Sequence, residues 1–384
     1  KDKCPYDLVD NFFDRWEGWQ NKVYLWLVSI KNGIKHIITG GISPYGWCKE
    51  AAVSPDGKKV AFINETPSSR YPYRHQELWV IDILNGKPEL ISKIKTSMIS
   101  DITWSPDSNY IAVITPYYNF PLNPKDVKHY HSRWHQGIQL WNVAQKSYCY
   151  LTRAEFKPSV RSLWWNPKDN NLYFLALDRT VHRLYRFSHD LKKFSEVKLP
   201  FRNIQALFGG KKSNWVILQL GAIDKPSWLV SLNLKTLEHY KIWDKGQEFL
   251  SSVRLGNYEM FYCKNRNGTK LDVWIYFPPD FDPQKKYPAI IAYYGGVVPK
   301  TQEFESINHW FAANGYVVYT LTPRGTWGYG QEFADAHINE WGIVSSPDII
   351  DAVKALIKAK PYICLLYTSD AADEGLGVDL GGRR

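Results

Sequence analysis

Ala289-Ile290-Ile291-Ala292-Tyr293-Tyr294-Gly295-Gly296 decides the fold of the C-terminal third. An apolar run with no charge reads as a strand buried on both faces, and the paired glycines end it. Helical spacing follows, with Phe304, Ile307, Trp310 and Phe311 on one face and Asn314-Gly315 as the stop. A second strand, Tyr316 to Leu321, runs into Arg324-Gly325-Thr326-Trp327-Gly328-Tyr329-Gly330. Ser346-Pro347 reads as an N-cap with proline at the first helical position, and Ile349, Ile350, Val353 and Ile357 form the stripe of the helix it opens. Strand, helix, strand, helix with short links predicts a parallel α/β sheet. Upstream, Leu271 to Phe277 alternates and then meets Pro278-Pro279, which predicts an edge strand entering a turn.

Toward the N-terminus the pattern changes to a repeat. Val53-Ser54-Pro55-Asp56-Gly57 returns as Trp104-Ser105-Pro106-Asp107-Ser108 and, more loosely, as Trp165-Asn166-Pro167-Lys168-Asp169. Proline sets φ at the first turn position, and Asp-Gly or Asp-Ser supplies the next ones, so each copy predicts a β-hairpin. A second motif is a strand led by Leu and an aromatic: Leu25-Trp26, Leu78-Trp79, Leu140-Trp141, Leu184-Tyr185 and, loosely, Leu229-Val230. Its gaps of 53, 62, 44 and 45 residues are those of a strand-rich unit repeated around a β-propeller. The expected organisation is propeller blades over 1–257, possible only in part for a closed ring, and a partial α/β unit over 258–363.

Composition excludes several classes. The 384 residues are 44% hydrophobic and 15% aromatic, with 17 Trp, which favours a folded chain rich in β structure. The longest apolar runs fall far short of the ~18 residues a membrane span needs. Net charge is +10, yet no run of Lys or Arg exceeds two residues. A nucleic-acid surface would cluster them, so none is expected. Five scattered cysteines, Cys4, Cys48, Cys149, Cys263 and Cys364, form no C-x-x-C pair and leave the compartment open. Between Pro116 and Gly137, His129, His131 and His135 have a spacing that could suit a metal, with Asp126 as the near carboxylate. A long loop at one mouth of the ring is the preferred reading, and no metal is expected.

The C-terminal third resembles the prolyl oligopeptidase family of serine peptidases, nearest its acylaminoacyl- and dipeptidyl-peptidase branches. The resemblance rests on Lys286-Tyr287-Pro288, Tyr294-Gly295-Gly296-Val297, Pro323 to Gly330, Phe333, Trp341-Gly342 and Asp348 to Val353. Arg15-Trp16-Glu17-Gly18-Trp19 is loosely similar to a propeller segment of the family. The resemblance implies an N-terminal β-propeller followed by an α/β-hydrolase domain, short peptide substrates, an acyl-enzyme and no cofactor. It also implies an oxyanion hole built from Tyr294 and the backbone of Gly295. Such a donor is typically worth about 3 kcal/mol of barrier. Arg324 is expected to anchor its loop by an ion pair, and Trp341-Gly342 and Asp348 to fix how the following helix packs.

One element of that pattern is missing. The family places a G-x-S-x-G elbow on the next strand, with Asp and His of the triad later, and no such pentapeptide occurs in the 384 residues. Ser369 is followed by Asp and has no flanking glycines, so it is not read as a nucleophile. Residues 364–384 read as a non-family tail of artefactual origin, which would leave the central strand's edge open. The chain is therefore expected to be inactive as given. With no paired-glutamate motif to capture a free amino terminus, the oligopeptidase or acylaminoacyl type ranks ahead of an aminodipeptidase. The alternative is a non-enzymatic propeller that binds a partner, or a pseudoenzyme. Oligomeric state and localisation have no signal in the sequence.

Overall fold

The computed structural model describes residues 24–37, 47–67, 74–84, 86, 88–91, 98–117, 131–153, 155–188, 190, 192–210, 213–294 and 297–370. Strands β1 (Trp26–Val28) and β2 (Lys35–Ile37) form an antiparallel ladder. Four antiparallel meander sheets follow. They comprise β3 (Trp47–Val53), β4 (Lys59–Pro67), β5 (Arg74–Asp82) and β6 (Pro88–Leu90), then β7 (Asp101–Trp104), β8 (Tyr110–Pro116), β9 (Gln136–Asn142) and β10 (Ser147–Tyr150). The third holds β11 (Ser159–Trp165), β12 (Leu172–Asp178), β13 (Val181–Phe187) and β14 (Phe194–Glu196). The fourth holds β15 (Ile204–Gly209), β16 (Trp215–Ala222), β17 (Lys225–Asn233) and β18 (His239–Trp243). A closed ring is not seen among the described residues.

Both sequence motifs fall at fixed places in these sheets. The proline turn joins the first and second strands of three sheets. In the first copy Asp56 Oδ1 accepts from Ser54 Oγ at 2.5 Å and from Lys58 N at 3.0 Å. In the second, Asp107 Oδ1 accepts from Ser105 Oγ at 2.5 Å and from Asn109 N at 3.1 Å. Gly57, Ser108 and Asn170 all take positive φ, 74°, 61° and 55°, so the third copy keeps the turn with different side chains. The Leu-aromatic motif lies on the third strand of every complete sheet, in β5, β9, β13 and β17.

Sheets stack face to face, and the first strands β3, β7, β11 and β15 lie side by side in that order. Period-two alternation then serves two interfaces at once. On β8, Ile111 and Val113 face the first sheet while Ala112 and Ile114 face the third. On β12, Phe174 and Ala176 face the second sheet while Tyr173 and Leu175 face the fourth. Burial on both faces explains why these strands read as unbroken apolar runs.

After helix α1 (Lys245–Ser252) comes a mixed sheet in the order β19 (Tyr258–Lys264), β20 (Lys270–Tyr276), β22 (Val317–Leu321), β21 (Tyr287–Tyr293), β23 (Ile363–Asp370). Strand β21 runs parallel to both β22 and β23, and the other pairings are antiparallel. Helix α2 (Ser306–Ala313) covers one face through Ala312 and Phe311. Helix α4 (Ser345–Ala359) covers the other through Ala352 and Leu356. A one-turn helix, α3 (Gln331–Asp335), lies between β22 and α4.

Several expectations need correction. Strand β20 is interior, paired with β19 and β22, and β19 takes the edge. The prolines follow the last paired residue, so they remove no ladder bond. Strand β21 has no open edge, because β23 pairs with it from Tyr287 to Tyr293. On α2, Ile307 and Trp310 are exposed, and the buried residues are Asn308, His309 and Ala312. His309 Nε2 lies 2.7 Å from the carbonyl of Ile223, and its ring stacks on Phe304. That polar contact sets the phase of a helix only eight residues long. On α4 the N-cap is Val344, so Ser346 and Pro347 lie inside the first turn. Ile350 and Ile357 are exposed, because the burial of Asp348 turns Ser345, Asp348, Ala352 and Leu356 inward.

Candidate active site

Parallel strands β21 and β22 end on the same edge of their sheet, the edge at which α/β sheets place their sites. Tyr294 follows directly on β21 and is half-buried. Gly295 and Gly296 lie outside the described residues. The chain leaving β21 then runs beside the chain leaving β22. Trp327 N donates to the carbonyl of Val297 at 3.1 Å, and Lys300 N donates to Thr322 Oγ1 at 3.1 Å.

The loop after β22 is clamped from beneath by Asp348. This fully buried carboxylate accepts from Arg324 N at 3.0 Å, Arg324 Nη2 at 2.8 Å and Asn265 Nδ2 at 2.7 Å. Arg324 is thus the loop anchor that the sequence suggested, and Asp348 is its counter-charge. Gly325 takes φ 101°, and a Cβ there would lie 2.1 Å from the His337 ring. No residue with a side chain fits that position.

So anchored, the loop reaches the meander sheets. Gly328 O accepts from Arg179 N at 2.8 Å. The Arg179 side chain, on the β12–β13 turn, forms a bidentate pair with Asp272 on β20, at 2.6 and 2.5 Å. Tyr329 OH donates to the same carboxylate at 3.0 Å. Burial and the neighbouring Asp272 charge hold the Tyr329 phenol well above its usual range. Further along, Gln302 bonds Thr180 through both backbone and side chain, and Asn203 Nδ2 donates to Gln302 O. At the other end, Asp335 accepts from Ser132 N at 2.6 Å and lies 2.7 Å from His131 Nδ1.

The seam also carries a less balanced group. Arg161 on β11 places its guanidinium 3.3 Å from the centre of the Trp327 ring. Burial pulls this guanidinium down to about 9 and the neighbouring His135 down to about 4. A cleft of about 40 Å³ beside the seam, bounded by His182, Arg183, Glu196 and Phe201, has room only for water.

Of the histidines singled out by spacing, His129 lies outside the described residues, His131 is held by Asp335, and His135 is buried beside Tyr117. Cys149, Cys263 and Cys364 are free thiols. Arg161, Arg179 and Asp272 belong to no motif. Each sits where an alternating strand or a turn accepts any polar residue, so pattern alone does not mark them.

A family model described as the prolyl oligopeptidase family matches residues 302–364. The dipeptidyl-peptidase 5 of Porphyromonas gingivalis is 21% identical over 374 residues, covering 93% of this chain and 52% of that protein. A probable dipeptidyl-peptidase 5 of Aspergillus terreus is 38% identical over 347 residues, covering 83% of this chain and 45% of that protein. Among solved structures, a puromycin-hydrolyzing peptidase of Mycobacterium tuberculosis has a similar fold, with a TM-score of 0.63 at 15% identity over 90% of this chain and 62% of the other. Prolyl oligopeptidase B of Galerina marginata superposes with a TM-score of 0.64 at 14% identity over 87% of this chain and 45% of the other. The chain belongs to the prolyl oligopeptidase family. It spans about half the length of the curated relatives it matches.

Proposed function

We propose that the protein is a serine peptidase acting on short peptides through an acyl-enzyme, with the four meander sheets as blades of a propeller that limits access. Residues 1–257 form the blades on this reading. Residues 258–363 form the leading part of an α/β-hydrolase domain, and 364–384 stand apart from the family pattern. The position of Tyr294 carries the proposal. It stands half-buried at the end of a central parallel strand, beside two loops that meet the meander sheets. A phenol there, with the backbone N–H of Gly295, suits the oxygen that gains charge during acyl transfer. The relatives named dipeptidyl-peptidase 5 favour removal of dipeptides over the oligopeptidase or acylaminoacyl type that the sequence alone ranks first.

The 384 residues contain no G-x-S-x-G pentapeptide, so we infer that they supply the oxyanion side of the site and not the nucleophile. A fluorophosphonate probe should leave this chain unlabelled, and stoichiometric labelling at any of its serines would overturn that assignment. The product of the gene that encodes these residues should be labelled and should release dipeptides from chromogenic substrates. There Tyr294→Phe should lower kcat by about 10²-fold with little change in KM. An unlabelled, inactive gene product would favour a binding propeller.

A further inference from the structure

We propose that Arg161 recognises a carboxylate of the bound peptide. The inference rests on the peptidase reading and adds to it the class of group that the propeller side selects.

The described arginines at the seam are otherwise paired with acids. Arg179 has Asp272, Arg183 has Asp178 and Glu196, and Arg324 has Asp348. Among the described residues no carboxylate lies within ion-pair distance of Arg161. Among the described residues its one hydrogen bond runs from Nη2 to the carbonyl of Trp134, at a long 3.3 Å. Its Nε is sealed from solvent and has no acceptor among the described residues. A guanidinium stripped of water without a counter-charge is costly, and a carboxylate would relieve that cost.

A second donor, linked to it through Ser159 and the Trp134 carbonyl, is also unused. Gln136 Nε2, at the start of β9, is buried and has no acceptor among the described residues. Its amide oxygen already accepts from Ser100 Oγ at 3.0 Å, and its backbone N donates to Ser159 Oγ at 3.1 Å. Ser159 opens β11, two residues before Arg161, and its Oγ shares the Trp134 carbonyl with the guanidinium. The corner therefore offers donors and lacks an acceptor. His135 adds no competing cation, because its depressed value of about 4 leaves it neutral near pH 7.

The geometry leaves an approach. The Trp327 ring covers one face of the guanidinium plane and leaves its edge, the side that grips a carboxylate with two bonds. Arg161 as a whole keeps partial exposure, so the residue is not closed off on every side. Trp327 is tied by its N–H to Val297, three residues beyond Tyr294. An anion held here would thus lie across the seam from the strand end that carries the phenol.

The carboxylate has two sources, the peptide C-terminus and an acidic side chain. The test is calorimetric titration of the 384-residue chain with N-acetyl tripeptides in four forms. These are a free C-terminus, its amide, an amide containing Glu, and the same amide containing Gln. At least one carboxylate form should bind about tenfold tighter than its neutral counterpart, and which one identifies the source. Arg161→Gln should erase that preference while leaving the amides bound as before, and Arg161→Lys should keep part of it, with thermal melts confirming that both variants fold. Equal affinity for carboxylate and amide in the native chain, or a preference that survives Arg161→Gln, overturns the inference while the peptide-binding reading stands. Failure to bind any of the four peptides overturns both.

Discussion

Arg179 and Asp272 are 93 residues apart in sequence and meet in a bidentate pair across the seam between the meander sheets and the mixed sheet. The two partners are not equivalent. The Asp272 side chain is fully enclosed, whereas 39% of the Arg179 side chain faces solvent. Removing the arginine leaves a buried carboxylate with only the Tyr329 hydroxyl for company. Removing the charge on the acid lets the arginine turn to water. Arg179→Met should therefore cost about 3 kcal/mol and Asp272→Asn about 1 kcal/mol, after allowance for solvent screening at the arginine. Urea denaturation of the two variants would measure this, and equal losses would show that the burial is not so one-sided.

Asp348 offers a related case beneath the mixed sheet's own loop. Its carboxylate meets the Arg324 backbone, the Arg324 side chain and Asn265, and only 18% of the Arg324 side chain is exposed. Asp348→Ala would leave a largely buried guanidinium without an anion, at a cost of about 3 to 5 kcal/mol. The loss should be local before it is global. Hydrogen exchange should quicken first at residues 323–330, while the ladder of β21 and β22 stays protected.

The pH dependence of stability should carry the mark of Asp101. Its carboxylate accepts from Leu163 N and from Ile102 N, both at 2.7 Å, and so joins the second meander sheet to the third. Burial first, and then the charge of Glu50, raise it to about 6. The folded value lies above the unfolded one, so folding takes up a proton between about pH 4 and 6. The contribution is fully present below the unfolded value, is lost as pH rises through about 6, and stays lost above it. The whole effect is about 2 to 3 kcal/mol. Asp101→Asn should flatten that slope when its stability is compared with the native chain from pH 4 to 8. An unchanged difference across that range would place Asp101 in water.

These contacts also show what could be read in advance and what could not. Proline turns are local chemistry, and the two Ser-Pro-Asp copies and the Asn-Pro-Lys copy fell where the sequence put them because each closes within five residues. Buried strands such as Ala289–Tyr293 declare themselves by the absence of charge. Phase on a short helix is weaker. Ile307 and Trp310 look like core and are exposed, because one bond from His309 to Ile223, 86 residues away, turns α2. The site divides in the same way. Tyr294 and Arg324 were legible as parts of a strand–loop pattern. Arg161 was not, since its character comes from a tryptophan on the loop after β22 and from the carboxylate it lacks.

Two glycines separate backbone strain from crowding. Gly315 and Gly325 both take left-handed φ, 87° and 101°. Around Gly315 an added Cβ would meet nothing within 4 Å, so Gly315→Ala should cost only the backbone term of about 1 to 2 kcal/mol. At Gly325 the same atom would meet His337 Cγ at 2.1 Å. His337 is itself buried and lies against Trp341, with ring centres 4.7 Å apart, so the ring has little room to move. Overpacking then adds to the backbone term, and Gly325→Ala should cost about 3 to 4 kcal/mol. The displaced loop carries Trp327, so this variant should also weaken tripeptide binding, whereas Gly315→Ala should not. If the two substitutions prove equally mild, the His337 ring does not hold the loop, and the seam must owe its order to Asp348 and Arg324 alone.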